Sequence, residues 1–222
     1  MITGAEGFQT ACDHIFLSKK FNNLEEANKA ISNVTDLRNI QGIDQIYHLL
    51  LKAEQTNDIK YLIRAYTAET DFYKVLNTCH AQLSSRRYTE EERETWFVKF
   101  GKTLHKSEQL DKYRWMGTTY RGLFVTNKDL DQYKVGDYIV NKAFLSTSKS
   151  RQIAEKFISI SSTDKLAIIC VYHLKKDEYV LDISSISEFP EEEEVLILPN
   201  ACFKVERINR QIYPIEIELS SW

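Results

Sequence analysis

The spacing of apolar residues changes once along this chain, and that change constrains the fold more than any single motif does. From Asn22 to about Leu110, apolar residues recur at intervals of three and four, as in Ile43, Ile46, Tyr47 and Leu50, or Phe72, Val75, Leu76, Cys79 and Leu83. Thr89-Glu90-Glu91-Glu92 has the capping-box form that opens a helix, and Trp96, Phe97, Phe100 and Leu104 continue it as an apolar stripe. From about Tyr113 the pattern turns to short runs of β-branched and aromatic residues: Tyr138 to Leu145, Leu166 to His173, Val195 to Leu198 and Tyr213 to Leu219. In the last run Ile215, Ile217 and Leu219 alternate with Glu216 and Glu218, as in a strand with one wet face. One short helix, from about Arg151 to Phe157, interrupts the strands. Helices first and strands afterwards predict an α+β fold, with N-terminal helices and a mainly antiparallel β core. We expect a single domain over residues 1–222, with a helical subregion over about 22–110 and a β-rich core over about 113–222.

Several function classes are excluded early. A formal net charge of -3 gives no broad positive field for a nucleic acid. The longest apolar stretch, Leu166 to Tyr172, falls far short of the roughly 20 residues that span a bilayer. The residues after Met1 show no basic segment followed by an apolar core, so a cytoplasmic protein is expected, or a secreted one if the N-terminus has been trimmed. Cys12, Cys79, Cys170 and Cys202 are scattered with no Cys-x-x-Cys pair, and the five histidines are equally dispersed, so no metal is expected and free thiols are the plain reading. Only seven glycines are present, with neither a dinucleotide fingerprint nor a P-loop.

Three short motifs carry chemistry. Tyr120-Arg121-Gly122-Leu123 sets a fork-shaped guanidinium in an apolar strand, beside a residue without a side chain; such a pair grips phosphate and lets a ligand approach the backbone, or merely marks a strand edge and a bend. Phe144-Leu145-Ser146-Thr147-Ser148 ends a strand in three hydroxyls. Ser148 or Ser150 can cap the following helix while Ser146 orients a carboxylate or a ribose. Phe189-Pro190-Glu191-Glu192-Glu193-Glu194-Val195-Leu196-Ile197 runs acids into an apolar strand. Read as strand throughout, it puts Glu192 and Glu194 on one face and Glu191 and Glu193 on the other, two converging carboxylates of the kind that glycosyl chemistry uses.

In this order the motifs resemble the arginine-specific mono-ADP-ribosyltransferases, the group of cholera-toxin-like and ecto-enzymes whose signature is Arg, then Ser-Thr-Ser, then Glu-x-Glu. The likeness extends upstream through Arg64-Ala65-Tyr66-Thr67 and Phe72-Tyr73-x-x-Leu76-Asn77, covering roughly Ile43 to Glu218; Leu198-Pro199 departs from the two prolines of many relatives. The resemblance implies two sheets around an NAD-binding cleft, NAD as co-substrate without a metal, and transfer of ADP-ribose to an exposed arginine of a protein substrate by a monomer, with NAD hydrolysis as a side reaction.

It also implies the roles of single residues. Glu194 would bind the ribose and stabilise positive charge there, and Glu192 would hold the acceptor guanidinium, which has no free lone pair until a base takes its proton. Ser146 would orient Glu194, Arg121 would hold the NAD phosphates or the adjoining ribose, and Gly122 would offer backbone groups to the nicotinamide amide. Phe157 would stack on nicotinamide or pack in the core, while Phe189 and Glu191 would face the acceptor protein. An NAD glycohydrolase would need Glu194 but not Glu192. A silent NAD-binding or interaction module would need no complete Arg121, Ser146 and Glu194 set, and an acidic adaptor would leave the motif order unexplained.

Overall fold

A computed structural model describes residues 24–32, 34–83, 91, 95–159 and 165–222. Cys12 lies outside them, as does the Thr89–Glu92 capping box except for Glu91. The chain divides into two compact units, a helical one up to Lys112 that also takes Ile186–Glu188, and a strand-rich one formed by Tyr113–Ser185 and Phe189–Trp222.

The helical unit contains α1 (Leu24–Ser32), α2 (Ile43–Thr56), α3 (Lys60–Thr67), α4 (Phe72–Gln82) and α5 (Trp96–Lys106). Helix α2 buries Ile43, Ile46, Leu49, Leu50 and Ala53, the stripe that its spacing predicts, and ends where Asn57 adopts the left-handed conformation. Phe72 of α4 and Phe100 of α5 are both fully buried, with ring centroids 5.7 Å apart in an edge-to-face contact. Thr67 at the end of α3 accepts the Glu188 N–H at 3.1 Å, and the Glu188 carboxylate lies 3.5 Å from Arg64 Nε. The chain is therefore tied down immediately before its acidic run.

The strand-rich unit contains β1 (Gly117–Val125), α6 (Asn127–Leu130), β2 (Tyr138–Val140), β3 (Leu145–Ser148), α7 (Arg151–Lys156), β4 (Leu166–Leu174), β5 (Val180–Asp182), β6 (Glu194–Ile197), β7 (Cys202–Asn209) and β8 (Ile215–Ser221). They form one eight-stranded sheet in the order β2-β7-β8-β4-β1-β3-β6-β5. All neighbours are antiparallel except β4 and β8. The two expected sheets correspond to groups of five and three strands. They are joined where β1 meets β3 through one registered pair, Tyr120 with Ser148, whereas β1 pairs with β4 along its whole length from Gly117 to Val125.

One face of the sheet carries the main core, with Ile168, Cys170, Val195, Phe203, Val205 and Ile217. On the other face α7 packs through Ala154 against Ile169 and Val171, with Tyr120 and Ile158 beside them. Gly122 makes this approach possible: a Cβ there would lie 2.1 Å from the Ala154 carbonyl oxygen. The wet face expected for Glu216 and Glu218 is covered. Glu216 is only 8% exposed, because Arg151 of α7 reaches it at 2.6 Å and Arg207 of β7 at 3.2 Å, while Arg207 also pairs with Glu218. Alternation showed which side these acids take, but not that two arginines would close over it.

Candidate active site

Antiparallel registers bring the three motifs onto neighbouring strands. Ser148 of β3 faces Tyr120 of β1 on one side and Glu194 of β6 on the other. Arg121 lies next in β1, and its Nη1 donates to the Ser146 carbonyl of β3. The strands that carry the guanidinium, the hydroxyl run and the carboxylate thus meet where the five-strand and three-strand groups join.

Glu194 opens β6 and is 4% exposed, an unusual place for a carboxylate. The ladder fixes its backbone, since its carbonyl accepts the Ile183 N–H at 3.0 Å and its Cα partner is Ser148. Ser146 pairs with Leu196 instead, which sets it on the same face as Glu194 but one diagonal step away. Diagonal neighbours on a sheet lie roughly 7–8 Å apart between Cα atoms, within reach of a glutamate.

Glu192 corrects the sequence reading. It does not share a strand face with Glu194, because Pro190–Glu192 form a single 3-10 turn and the strand begins only at Glu194. Between them Glu193 is left-handed, with φ 47 and ψ 46. Pro190 at the first position of the turn was the overlooked signal, since its fixed φ suits the start of a helical turn. Phe189 precedes the turn half-buried, Glu191 is exposed and Glu192 is half-buried. Burial first, and the Glu191 charge second, raise the Glu192 carboxyl above the ordinary glutamate value.

Ser148, expected only as a candidate helix cap, and Lys149, which the sequence did not single out, hold this turn. The Ser148 hydroxyl donates to the Glu192 carbonyl at 2.7 Å and accepts the Ser150 N–H at 3.0 Å, while the Lys149 N–H donates to the Glu193 carbonyl at 3.1 Å. The Lys149 ammonium is itself held by Asp182 at 2.9 Å and Ser184 at 3.3 Å. Ser150 is the N-cap residue of α7 by position, but its side chain makes no capping bond.

Phe157 follows the last turn of α7 and is 59% exposed, so it does not pack in the core. The space beside Gly122 on its side-chain face is taken by the Ala154 carbonyl, so helix packing accounts for this glycine on that face. Cys170, opposite Arg121, is buried and its thiol is pushed up to about 12 by desolvation, leaving it inert near neutral pH. Among the described residues no group of three or more His, Cys, Asp or Glu side chains is arranged to hold a metal, and no helix is long and apolar enough to cross a membrane.

Residues 14–222 match the family model of NAD:arginine ADP-ribosyltransferases. The chain belongs to that family. It is 35% identical over 104 residues to the ADP-ribosyltransferase Vis of Vibrio splendidus (strain 12B01), a match covering 46% of this chain and 41% of Vis. The chain thus spans well under two thirds of that relative's length in the alignment. The fold aligns with the solved structure of Vis in complex with agmatine, at TM-score 0.57 and 18% identity, covering 100% of this chain and 87% of that one. It also aligns with the type III effector XopAI of Xanthomonas axonopodis pv. citri, at TM-score 0.61 and 16% identity, covering 98% and 95%.

Proposed function

We propose that this family member cleaves NAD and transfers ADP-ribose to an arginine side chain, releasing nicotinamide. The observation that carries this reading is the buried Glu194 carboxylate at the head of β6, two registered pairs from the Tyr120-Arg121 strand by way of Ser148. Family membership and the agmatine complex of Vis support a guanidinium acceptor, since agmatine carries an arginine-like guanidinium.

The residues fit NAD by their chemistry. Arg121 would take the diphosphate, although one of its donors already serves the Ser146 carbonyl, and the exposed Phe157 ring offers an aromatic face for nicotinamide. Nicotinamide leaves as a neutral base and needs no proton, so no general acid is required. Glu194 faces positive charge growing on the ribose, and its burial strengthens that attraction. Ser146, diagonal to Glu194, orients it. Glu192 holds the incoming guanidinium and takes its proton as the new C–N bond forms; a raised pKa makes it a stronger base than an ordinary glutamate. Glu191, exposed on the turn, and Phe189, half-buried just before it, would meet the acceptor protein.

The test separates the two acids by assaying nicotinamide release and agmatine labelling in parallel. Glu194→Gln should lower both activities, by roughly 10²-fold or more. Glu192→Gln should abolish labelling while leaving measurable NAD hydrolysis, because water reaches the ribose without a guanidinium-binding carboxylate. Parental labelling by Glu192→Gln, or normal nicotinamide release by Glu194→Gln, would refute the assignment.

A further inference from the structure

We infer that Ser148 is a positioning residue for the acceptor half of the reaction: its hydroxyl latches the Glu192 peptide and so aims that carboxylate at the incoming guanidinium. This rests on the role of Glu192 proposed above. The two acids are held by different means. Glu194 lies in the β3–β6 ladder, with Ser148 as its Cα partner and its carbonyl bonded to Ile183 N–H, and neither contact involves a side chain of β3. Glu192 lies outside the ladder, before a left-handed Glu193, and its carbonyl is taken by the Ser148 hydroxyl at 2.7 Å.

Geometry makes that contact selective. The left-handed region is unfavourable for a non-glycine residue, so the reversal at Glu193 persists only where neighbours hold both flanking peptides. Here the Ser148 hydroxyl takes the Glu192 carbonyl and the Lys149 N–H takes the Glu193 carbonyl. The second is a main-chain bond that survives any substitution at Ser148, whereas the first depends on one oxygen atom. Ser148 is 5% exposed, so water does not readily replace it. The same hydroxyl accepts Ser150 N–H at 3.0 Å, which orients its proton toward the Glu192 carbonyl and ties the acidic turn to the start of α7. Removing the hydroxyl therefore leaves the Glu192 peptide held only within its own turn, by the Glu193 N–H bond to the Pro190 carbonyl at 3.2 Å, and no longer tied to β3, while the ladder keeps Glu194 in place.

Agmatine labelling and nicotinamide release, measured on Ser148→Ala, Ser148→Thr, Glu192→Gln and the double variant Ser148→Ala/Glu192→Gln, test this. The ratio of transfer to hydrolysis should fall about fivefold in Ser148→Ala, the effect of one neutral hydrogen bond, with a raised KM for agmatine. Ser148→Thr keeps the hydroxyl and should restore the ratio, and the double variant should lose no more transfer than Glu192→Gln alone. Equal loss of both activities in a folded Ser148→Ala, or a Thr variant as defective as the Ala one, would overturn the latch. If Ser148→Ala does not fold, Ser148→Cys, with its weaker donor, must lower the ratio, and an unchanged ratio there overturns it equally. Failure of the underlying reading looks different: Glu192→Gln would then transfer at the parental rate, and the latch would fall with it. A defective Glu192→Gln beside a Ser148→Ala of parental ratio removes the latch alone.

Discussion

Gly122→Ala asks whether this glycine is reserved for a ligand or for a helix. A Cβ placed there would meet the Ala154 carbonyl oxygen at 2.1 Å, its carbonyl carbon at 3.1 Å and Ile158 Cγ2 at 3.2 Å. The nearest two atoms are backbone, so no rotamer change relieves the clash, and α7 must lift by roughly 1.3 Å to reach an ordinary contact. Overpacking of this kind costs about 1–3 kcal/mol. For a chain of this size a loss of about 2 kcal/mol lowers Tm by roughly 4–8 °C. Urea unfolding with a thermal scan measures the loss, and NAD KM from nicotinamide release measures what happens at the site. If the variant keeps the parental Tm but raises the NAD KM, the glycine makes room for the ligand, and the packing argument is wrong.

Three further outcomes are expected. Arg121→Ala should raise the NAD KM more than it lowers kcat, by the roughly 1.5–3 kcal/mol of a charged hydrogen bond, and Arg121→Lys should rescue poorly because one ammonium cannot serve both the Ser146 carbonyl and a phosphate; an unchanged KM with a collapsed kcat contradicts this. Because burial and Glu191 raise the Glu192 carboxyl, the acid limb of agmatine labelling should lie above the ordinary glutamate range, and Glu191→Gln should move it to lower pH in a pH–rate profile; a limb that stays put removes Glu191 from the account. His80 is buried beside the Phe97 carbonyl with its pKa pulled down to about 4, so between about pH 6.5 and 4 the unfolded chain takes up a proton that the folded one refuses. Stability should fall as pH drops through that window, by on the order of 3 kcal/mol in total, and His80→Gln should flatten the dependence seen in urea unfolding at stepped pH.

Periodicity located the elements well because it reports burial: Ile43, Ile46 and Leu50 line one helix, Ile217 and Leu219 lie in the sheet core, and the short helix begins at Arg151 as expected. The order Arg121, Ser146, Glu194 was legible through its resemblance to a family signature and not from periodicity, and the registers set the three on neighbouring strands. Glu192 was misread because alternation applies only inside a strand, and a local turn opened by Pro190 takes precedence over the apolar run that follows. Ser148 was expected as a helix cap, and its bond to the Glu192 carbonyl was not foreseen, because a hydroxyl's partner depends on register and register across 44 positions is not written in either segment. The burial of Glu216 was hidden likewise, its two arginines lying 65 and 9 residues away along the chain.

The single pair that joins β1 to β3 makes the sheet a hinged plate in its hydrogen bonding, firm within each group and thin along one line. Local opening costs least where fewest backbone bonds must break, so amide protons along that line should exchange with solvent sooner than those between β1 and β4. Arg121 crosses the line by holding the Ser146 carbonyl, and a diphosphate that engaged the same guanidinium would add a second clasp over it. Occupancy of the site would then register as slowed exchange along the line, a response that binding confined to either group alone would not give.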